Sequence, residues 1–468
     1  MTSPTVDLPK RLPLVIEPEN RSDSTAKDAR LVNCYVEKQR SGEVHVFKRA
    51  GTARSSQPTG GAAAGRGMWN WLGDIYSVFG TKLYKNGVDV SGAVVLNGTT
   101  DSYKWSSTLG ATPRLQLGNG TSGYNYDSGA GLVLITDAQF PSSFVKGWAY
   151  LDGTTYVMTP AAAIQGSDIN DPINWDALNV LTAQIEPDRG VALSKQLVYV
   201  IALKQWTSEV FYDAQNASGS PLGTVQGAKI NYGCASADSV ASVDDIMFWV
   251  STNRTGDPQV VKLDGLKAGV ISTDPIERLL ASISFTTVYA FTIKSAGHRF
   301  YVFTSVVSNL TLVYDLDQDT WHQWTDANGN YFPFVAAVCD SNLNTFLQHE
   351  TDGYIYTLSE NTYTDNAGII TVDIYTPGFD GGTRRGKQLG AMYFNADQTP
   401  GSVLQVRSND NDYGTKDWST FRYIDLSQER PALFDEGTFT RRAYNFRHQK
   451  ATAFRMSSID LQMDLCTL

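Results

Sequence analysis

The alternation of hydrophobic and polar positions is clearest at Leu197–Leu222. An apolar run, Leu197–Leu203, is followed by a polar turn at Lys204 and Gln205, and an aromatic run then ends at Tyr212. Two short β-branched and aromatic runs joined by a tight polar turn predict a β-hairpin. This hairpin is the unit from which we interpret the rest of the chain.

The same pattern recurs six more times between about residues 68 and 371. Recurrence of one hairpin unit every forty to fifty residues is typical of propeller blades, so the chain is predicted to contain a β-propeller-like domain of unspecified blade number. One stretch, Asp176–Ala183, is predicted as a short helical insert. The further hairpins join Asp74–Phe79 to Lys82–Lys85, Arg114–Leu117 to Tyr124–Asp127, Gly147–Leu151 to Thr155–Met158, Ile246–Val250 to Gln259–Leu263, His298–Thr304 to Leu310–Asp315, and Thr345–His349 to Tyr354–Leu358.

The first 30 residues are Pro-rich and polar, and they predict an extended arm that could become ordered on a partner. Leu31–Glu37 and Val44–Lys48 predict two strands, and the Gly, Ala, Ser and Pro residues of Ala50–Gly67 predict a linker. The N-terminal arm with its first strands is therefore assigned to residues 1–55.

From about Val372 onward the pattern changes to six strands with partial alternation, which predict a compact β-sandwich or platform-like domain. The chain is thus predicted to be all-β, with an arm (1–55), a propeller-like domain (56–375) and this C-terminal domain (376–468). The six predicted strands are Gln388–Phe394, Ser402–Ser408, Thr420–Leu426, Tyr444–Arg447, Ala453–Ser457 and Ile459–Leu465.

Composition is consistent with a folded all-β chain and argues against several classes of function. Hydrophobic residues make up 42% and charged residues 18% of the chain, which argues against disorder. The formal net charge of −10 is unsuited to gripping DNA through its phosphates, although an acidic surface could line a passage through which DNA slides. The four cysteines are scattered, which argues against a zinc site and fits a reducing compartment. No signal peptide or membrane span is expected.

Two motifs resemble ligand sites but are better explained as turns. Asp315, Asp317 and Asp319 have the spacing that begins a calcium loop, but Thr320 stands where such a loop needs Gly, so we predict a blade turn. Ser408–Gly414 resembles an Asp-box turn, but it occurs once and lies too far from the following Trp, so we predict a hairpin turn stabilised by Asx side chains.

Carboxylates in a propeller raise the question of glycoside hydrolysis, which needs a pair of acids or a Tyr/Glu system in a central cleft. Glu186, Asp188 and Arg189 are close in sequence, and Glu209 lies in the hairpin described first. Nothing in the sequence brings them together, so we interpret them as solvated or capping charges. His322, between two tryptophans, is predicted to be a packed residue. No catalytic residue, cofactor or metal is assigned.

Two arginine pairs, Arg384 with Arg385 and Arg441 with Arg442, are the candidate site residues. They lie in the part of the chain that is more basic than the rest. Because the whole chain is acidic, contact with nucleic acid is disfavoured. Arg is enriched at protein interfaces, so the four residues are predicted to contact another subunit or a partner protein.

Several segments, in order along nearly the whole chain, resemble the packaged-DNA stabilisation proteins, or tail hub (nozzle) proteins, of short-tailed bacteriophages. The segments that carry the resemblance are Asn33–Glu37, Phe47–Thr52, Arg66–Gly67, Gly80–Lys85, Trp206–Tyr212, Gly233–Ala235, Asp245–Val250, Ser408–Gly414 and Ile459–Leu465.

This resemblance implies a structural virion protein, not an enzyme. It implies a homo-oligomeric ring, commonly of six copies, attached below the portal and adaptor proteins. Such a ring closes the filled head, carries tail fibres or tailspikes and a tail needle or tip protein, and forms part of the ejection channel. DNA would pass through its lumen without sequence-specific binding, and no membrane is involved. The alternative is a propeller that binds or cleaves carbohydrate, which the aromatic content and the Asp-box-like turn leave open.

Overall fold

The computed structural model describes residues 11–20, 28–109, 112–216, 218–411 and 417–466. Within these ranges, seven antiparallel sheets of four strands surround one axis, five of them separate and two continued by further strands into larger sheets. The first strand of each sheet contacts the first strand of the next, directly or through the 3-10 helix Ala237–Ser239, and the seventh returns to the first. These sheets are the blades of a seven-bladed β-propeller, which confirms the predicted class and supplies the blade number that the sequence left open.

Four strands precede the first strand of blade one along the chain. They are β1 (Arg30–Val32), β2 (Cys34–Lys38), β3 (Val44–Lys48) and β4 (Gly51–Ser56). The predicted strand Leu31–Glu37 is thus two strands, separated at Asn33, whose φ of 55° interrupts the extended backbone.

Each of the seven predicted hairpins is an adjacent, antiparallel strand pair within one blade. Blades one to three contain β5 (Gly65–Trp71), β6 (Asp74–Phe79), β7 (Lys82–Lys85), β8 (Val88–Asp89), β9 (Lys104–Ser107), β10 (Leu115–Gly118), β11 (Gly123–Asp127), β12 (Gly131–Leu134), β13 (Ala149–Leu151), β14 (Thr154–Met158), β15 (Ala163–Asp168) and β16 (Asp171–Thr182). Blades four and five contain β17 (Gly190–Gln196), β18 (Tyr199–Lys204), β19 (Ser208–Asp213), β20 (Leu222–Thr224), β21 (Ala241–Val243), β22 (Ile246–Ser251), β23 (Gln259–Asp264) and β24 (Lys267–Val270).

A short helix, α1 (Asp274–Ala281), leads into the last two blades. Thr273 precedes it in an extended conformation, and Pro275 lies in its first turn, where the missing N–H costs little. Blades six and seven contain β25 (Val288–Ser295), β26 (His298–Ser305), β27 (Leu310–Asp315), β28 (Thr320–Gln323), β29 (Phe334–Cys339), β30 (Thr345–His349) and β31 (Ile355–Ser359).

The fourth strand of blade seven comes from the start of the chain. Strand β4 pairs antiparallel with β31, with Thr52 opposite Leu358 and Gly51 opposite Ser359. The ring is therefore closed by joining two distant parts of the sequence in one sheet. The prediction of a linker over Ala50–Gly67 is wrong, because β4 and the beginning of β5 both pair within blades.

The C-terminal residues form a β-sandwich together with the N-terminal strands. The strands after blade seven are β32 (Thr364–Asp365), β33 (Gly368–Ile369), β34 (Val372–Tyr375), β35 (Lys387–Ala396), β36 (Val403–Asn409), β37 (Arg422–Asp425), β38 (Ala432–Phe439), β39 (Ala443–His448) and β40 (Arg455–Leu465).

One sheet of the sandwich has the order β2-β3-β40-β35-β38, and the facing strands are β1-β34-β39-β36-β37, with one shared hydrophobic core. A sandwich of C-terminal strands was predicted, but the participation of strands from the N-terminal part of the chain was not. The predicted boundaries at 55/56 and 375/376 stay a prediction.

The sandwich and the propeller share a sheet. Strand β1 pairs antiparallel with β34 on one side and parallel with β28 of blade six on the other, where Val32 lies opposite Gln323. Blade six therefore continues into the sandwich as one nine-stranded sheet. This continuity gives the two parts of the molecule a common backbone hydrogen-bond network.

The described part of the predicted arm packs on the sandwich. Leu12, Leu14 and Ile16 are each buried in the sandwich core, and the residues between them are exposed. This period of two is that of an extended chain lying on an apolar surface, and it was missed in the sequence. Residues 1–10 and 21–27 of the arm lie outside the described ranges.

The predicted helical insert Asp176–Ala183 is wrong. All of its residues except Ala183 belong to β16, which pairs with β15 so that Leu181 lies opposite Ile164 and Val180 opposite Gln165. The β-branched residues and this pairing favour the strand, and a bulge before them lets Trp175 enter the core. The two predicted strands at 453–457 and 459–465 are likewise one strand, β40.

Closure of the ring predicts an unusual sensitivity at Gly51. A Cβ atom there would lie 2.4 Å from the carbonyl oxygen of Thr364 and 2.5 Å from that of Thr362, both of them backbone atoms. We expect Gly51→Ala to lower the free energy of unfolding by about 2 kcal/mol through overpacking. Urea denaturation followed by circular dichroism measures this loss.

Gly269→Ala in β24 is the matched control, because a Cβ atom there meets no other atom within 4 Å. It should change the free energy of unfolding by less than about 1 kcal/mol. Equal stability of the Gly51→Ala variant and the unmodified chain would contradict the close packing of β4 against the segment that follows blade seven.

Candidate functional site

Arg49 lies between β3 of the sandwich and β4 of the propeller, and its side chain is 1% exposed. Its guanidinium binds both oxygens of Asp365, with Nη2 2.5 Å from Oδ2 and Nη1 3.1 Å from Oδ1. Nη2 also donates to the carbonyl of Thr325 at 2.8 Å. A bidentate charge-assisted pair of this kind fixes both partners in direction as well as distance.

Asn33, at the break between β1 and β2, completes this junction. Its Oδ1 accepts hydrogen bonds from Arg49 Nε at 2.9 Å and from the Thr325 N–H at 2.8 Å. Its amide donates to the Thr325 hydroxyl and to the Thr371 carbonyl. The segments that follow blades six and seven are thus bonded to Asn33 and Arg49, the two residues at which the chain leaves a strand of the sandwich.

Lys48, next to Arg49, is also buried, and its ammonium donates to the carbonyl of Lys450 at 2.7 Å. Burial, with the positive charge of Arg49, lowers the pKa of Lys48 to about 7. Near neutral pH, Lys48 is therefore close to losing its charge, and Arg49 is the cation on which the junction depends.

The two predicted arginine pairs lie at the same end of the sandwich. Phe379 forms an antiparallel bridge with Arg442, and Lys387 lies opposite Phe439, so the loop between residues 379 and 387 borders the turn that contains Arg441. Proximity of the two pairs did not follow from the sequence, because more than fifty residues separate them.

Arg442 itself is buried and bonded within the chain. Its Nε and Nη2 lie 2.5 and 2.8 Å from the two carboxylate oxygens of Asp410, and Nη1 donates to the Glu436 carbonyl. The guanidinium also stacks on Phe439. Arg442 therefore stabilises this end of the sandwich.

Arg384 and Arg385 are exposed on the neighbouring loop. The buried ammonium of Lys387 holds that loop by donating to the carbonyls of Thr383 and Arg385, each at 2.8 Å. Arg441 is half-buried on the adjacent turn. A role for the four arginines as subunit or partner contacts stays a prediction.

The interpretation of Asp188 and Glu209 as solvated or capping charges is wrong in exposing them to solvent. Both surround the ammonium of Lys204, at 2.8 and 2.6 Å, and the three side chains are at most 2% exposed. Asp188 also accepts the N–H groups of Trp206 and Thr207. Although burial opposes it, the bond to Lys204 and these N–H groups hold the pKa of Asp188 below its usual range. Lys204 at the end of an apolar run was the signal in the sequence.

Glu186 and Arg189 fit the prediction better. Glu186 is half-buried and pairs with Lys229 at 2.6 Å, while Arg189 is exposed. The four residues therefore do not converge on a common cleft. With one buried ammonium bonded to two buried acids, the Asp188–Lys204–Glu209 cluster stabilises the turn of blade four.

The aspartates of the calcium-like motif form a blade turn, as predicted. Asp315 ends β27 and is bonded to His298 Nδ1 at 2.7 Å, Asp317 pairs with Arg299, and Asp319 accepts from the Tyr314 hydroxyl. In the part of the chain that the structure describes, no group of His, Cys, Asp and Glu has the geometry of a metal site.

Two further predictions concern turns and packing. In Ser408–Gly414, the Asn409 side chain accepts the Asn411 N–H as an Asx turn does, but residues 412–414 lie outside the described ranges. His322 is fully buried beside the Thr320 hydroxyl, and burial lowers its pKa to about 3. His322 is therefore a neutral packed residue, as predicted.

The inner strands of the seven blades enclose an axial cavity of about 830 Å³. Where these strands begin, it is lined by Ser102, Lys104, Lys146 and Asp238, and Tyr289 lies at the same end. Tyr289 and Tyr331 donate to the two carboxylate oxygens of Glu350, at 3.3 and 2.5 Å. These residues come from five blades, so no local motif could have revealed them.

A Tyr/Glu pair beside a propeller axis invites comparison with a glycosidase nucleophile. Burial raises the pKa of Tyr289, and the carboxylate of Glu350 raises it further. The phenol therefore stays protonated at neutral pH, which is the opposite of nucleophile activation. The pair acts as a hydrogen-bonded link between the inner strand of blade six and the turn of blade seven.

A family model described as "Bacteriophage P22 Gp10, beta-propeller" matches residues 12–363, more than half of the 468 residues. The match begins at the segment packed on the sandwich core and ends after the seventh blade. No curated protein matches the sequence. Among the described residues, no helix has the length and apolar character needed to cross a bilayer.

Solved propeller structures are similar at low sequence identity. The N-terminal domain of Nup159 is 10% identical, with a TM-score of 0.38, over 71% of this chain and 99% of that one. A streptogramin B lyase is 9% identical, with a TM-score of 0.41, over 70% and 98%. Virginiamycin B lyase from Staphylococcus aureus is 9% identical, with a TM-score of 0.42, over 67% and 99%. These similarities carry no argument about function.

The junction generates a prediction for Arg49→Met. Removing the guanidinium leaves the largely buried carboxylate of Asp365 without its cation, so we expect the free energy of unfolding to fall by about 4 kcal/mol. The double variant Arg49→Met with Asp365→Asn should recover part of this loss, because the unpaired charge is then gone. Urea denaturation of the three proteins measures both effects.

Arg54→Met is the control, since Arg54 is 45% exposed and its nearest carboxylate, that of Asp352, is 3.8 Å away. This exposed pair should contribute little, so the variant should unfold close to the unmodified chain. If Arg49→Met were no more destabilising than Arg54→Met, the junction would not have the importance assigned to it.

Proposed function

The chain belongs to the bacteriophage P22 Gp10 β-propeller family, a family of phage structural proteins, and on that premise we propose that it forms the tail hub, or nozzle, of the virion. In this proposal, copies of the chain assemble into a ring, commonly of six, below the portal and adaptor proteins. The ring closes the filled head, retains the packaged DNA and forms part of the ejection channel. Family membership over residues 12–363 is the observation that carries the proposal.

The passage for DNA would lie between the copies, not along the axis of each propeller. The axial cavity of about 830 Å³ has the size of a small-molecule pocket and is lined by packed inner strands. The net charge of −10 supports a lumen to which DNA does not adhere, since binding through phosphates needs an excess of cations. DNA is thus a passing partner without sequence-specific contacts.

Charge distribution supports a contact between unlike surfaces of neighbouring copies. Residues 372–468 contain twelve Lys and Arg and twelve Asp and Glu, so the whole acidic excess lies in residues 1–371. Arg384 and Arg385 are exposed at one end of the sandwich. We infer that this end contacts the acidic propeller of the next copy, because a head-to-tail contact is the kind that closes into a ring.

The remaining partners follow from the same proposal. The adaptor or portal protein would bind one face of the ring, and a tail fibre or tailspike and a tail needle or tip protein would bind elsewhere on it. The protein is then a component of the phage tail, made in the cytoplasm of the host bacterium, and it performs no reaction.

Native mass spectrometry of the full chain, alone and with its adaptor protein, tests the ring. We expect closed oligomers in the presence of the adaptor, because the ring is proposed to assemble on it. Arg384→Glu with Arg385→Glu should shift the distribution toward monomers by reversing charge at the proposed contact.

Arg40→Glu with Lys267→Glu is the matched control, since it reverses two exposed charges in the β2–β3 and β23–β24 regions. Circular dichroism verifies that all variants are folded. Monomers alone, even with the adaptor present, would overturn the ring. A ring unaffected by the Arg384 and Arg385 substitutions would overturn the assigned contact and leave the ring standing.

A further inference from the structure

One end of the propeller axis collects charged side chains from three blades. Lys104 begins the inner strand of blade two, Lys146 precedes that of blade three, and Asp238 lies in the 3-10 helix before that of blade five. Lys146 Nζ donates to Asp238 Oδ2 at 2.7 Å and to the Ser102 hydroxyl at 2.8 Å. The Ser102 hydroxyl in turn donates to Asp238 Oδ1.

These bonds reach both oxygens of Asp238, with which Lys104 makes only a longer contact. Lys104 Nζ is 3.6 Å from Asp238 Oδ1, which is longer than a hydrogen bond. Nothing else in the described residues accepts from it at hydrogen-bond distance. An ammonium has three N–H donors and no acceptor, so both lysines keep N–H groups for something that the chain does not supply.

The cluster is also unbalanced in charge. The side chains of Lys104, Lys146 and Asp238 are 24%, 23% and 18% exposed, and two cations there face one carboxylate. Glu350, the nearby acid, accepts hydrogen bonds from Tyr289 and Tyr331. A largely buried excess of positive charge is costly unless an anion accompanies it.

Shifts in pKa agree with this description. Burial lowers the pKa of the Lys104 ammonium, despite the attraction of Asp238. Burial alone would raise the pKa of Asp238, but Lys104 and Lys146 hold it below its usual range. The carboxylate therefore stays ionised.

We propose that this end of the axial cavity is a binding site for a small tetrahedral oxyanion, inorganic phosphate or a phosphate monoester, held by the ammonium groups of Lys104 and Lys146. The oxygens of such a ligand accept hydrogen bonds, and the N–H groups that the two lysines leave unused are all donors. Lysine binds phosphate as a point charge and needs no fixed fork geometry. The cavity has ample room for one such ion beside the lining residues.

An anion bound there would act on the fold and not on a substrate. It would join blades two and three, and through Asp238 blade five, across the axis. A ligand that binds the folded chain and not the unfolded one raises its stability with concentration. This site does not depend on the proposed ring, since every residue in it belongs to one chain.

Isothermal titration calorimetry of the full chain with inorganic phosphate tests the site. A titration with chloride at equal ionic strength is the comparison. We expect saturable binding of one phosphate per chain and a rise of the melting temperature with phosphate beyond that with chloride. Lys104→Met should weaken binding by about tenfold or more, because a charge-assisted hydrogen bond is lost. Asp238→Asn should tighten it, because the competing carboxylate charge is gone.

Lys195→Met is the matched control, since Lys195 lines the opposite end of the same cavity and is exposed. It should bind phosphate like the unmodified chain. The gain expected for Asp238→Asn guards against loss of binding through misfolding. No saturable binding, or equal affinities for the Lys104→Met and Lys195→Met variants, would overturn the site and leave an adventitious ion only.

Discussion

The buried guanidinium of Arg49 is the interaction on which the arrangement of the whole molecule depends. It lies where the chain leaves the sandwich for the propeller, and its hydrogen bonds reach Asn33, Thr325 and Asp365. A guanidinium removed from water must have its donors satisfied, and here each partner comes from a different segment. Satisfying one cation therefore fixes the positions of four pieces of chain relative to one another.

Two pairings between the sandwich end of the chain and the blades begin at this junction. Strand β4, which follows Arg49 directly, completes blade seven, and strand β1, which precedes Asn33, continues blade six into the sandwich. Two strands from the start of the chain, β1 and β4, are thus held on adjacent blades. Contacts between residues so far apart in sequence form slowly, and local propensity does not predict them. Once formed, they hold the sandwich and the propeller together.

Local structure could be predicted from the sequence to a large extent, and long-range structure could not. All seven hairpins were predicted because alternation and turn residues are local signals. The helical interpretation of Asp176–Ala183 failed because pairing with β15 decides that segment, and the linker over Ala50–Gly67 failed because its partner strand lies three hundred residues away. The packing of the extended arm on the sandwich was not predicted, because the period of two at Leu12, Leu14 and Ile16 is short.

For the candidate sites too, single residues could be noticed in the sequence, but their positions relative to one another could not be predicted. The arginine pairs were noticed in the sequence, but their common position and the burial of Arg442 depend on how β35 and β38 pair. Asp188 and Glu209 were misjudged because Lys204 supplies a buried cation that composition does not reveal. The residues at the propeller axis come from separate blades, and only closure of the ring brings Lys104, Lys146 and Asp238 together.

If one buried junction unites the two parts, they must unfold together. Differential scanning calorimetry of the full chain tests this most directly, by comparing the calorimetric enthalpy with the van't Hoff enthalpy. The account predicts one transition in which the two enthalpies agree. Two separate transitions, one for the sandwich and one for the propeller, would contradict it.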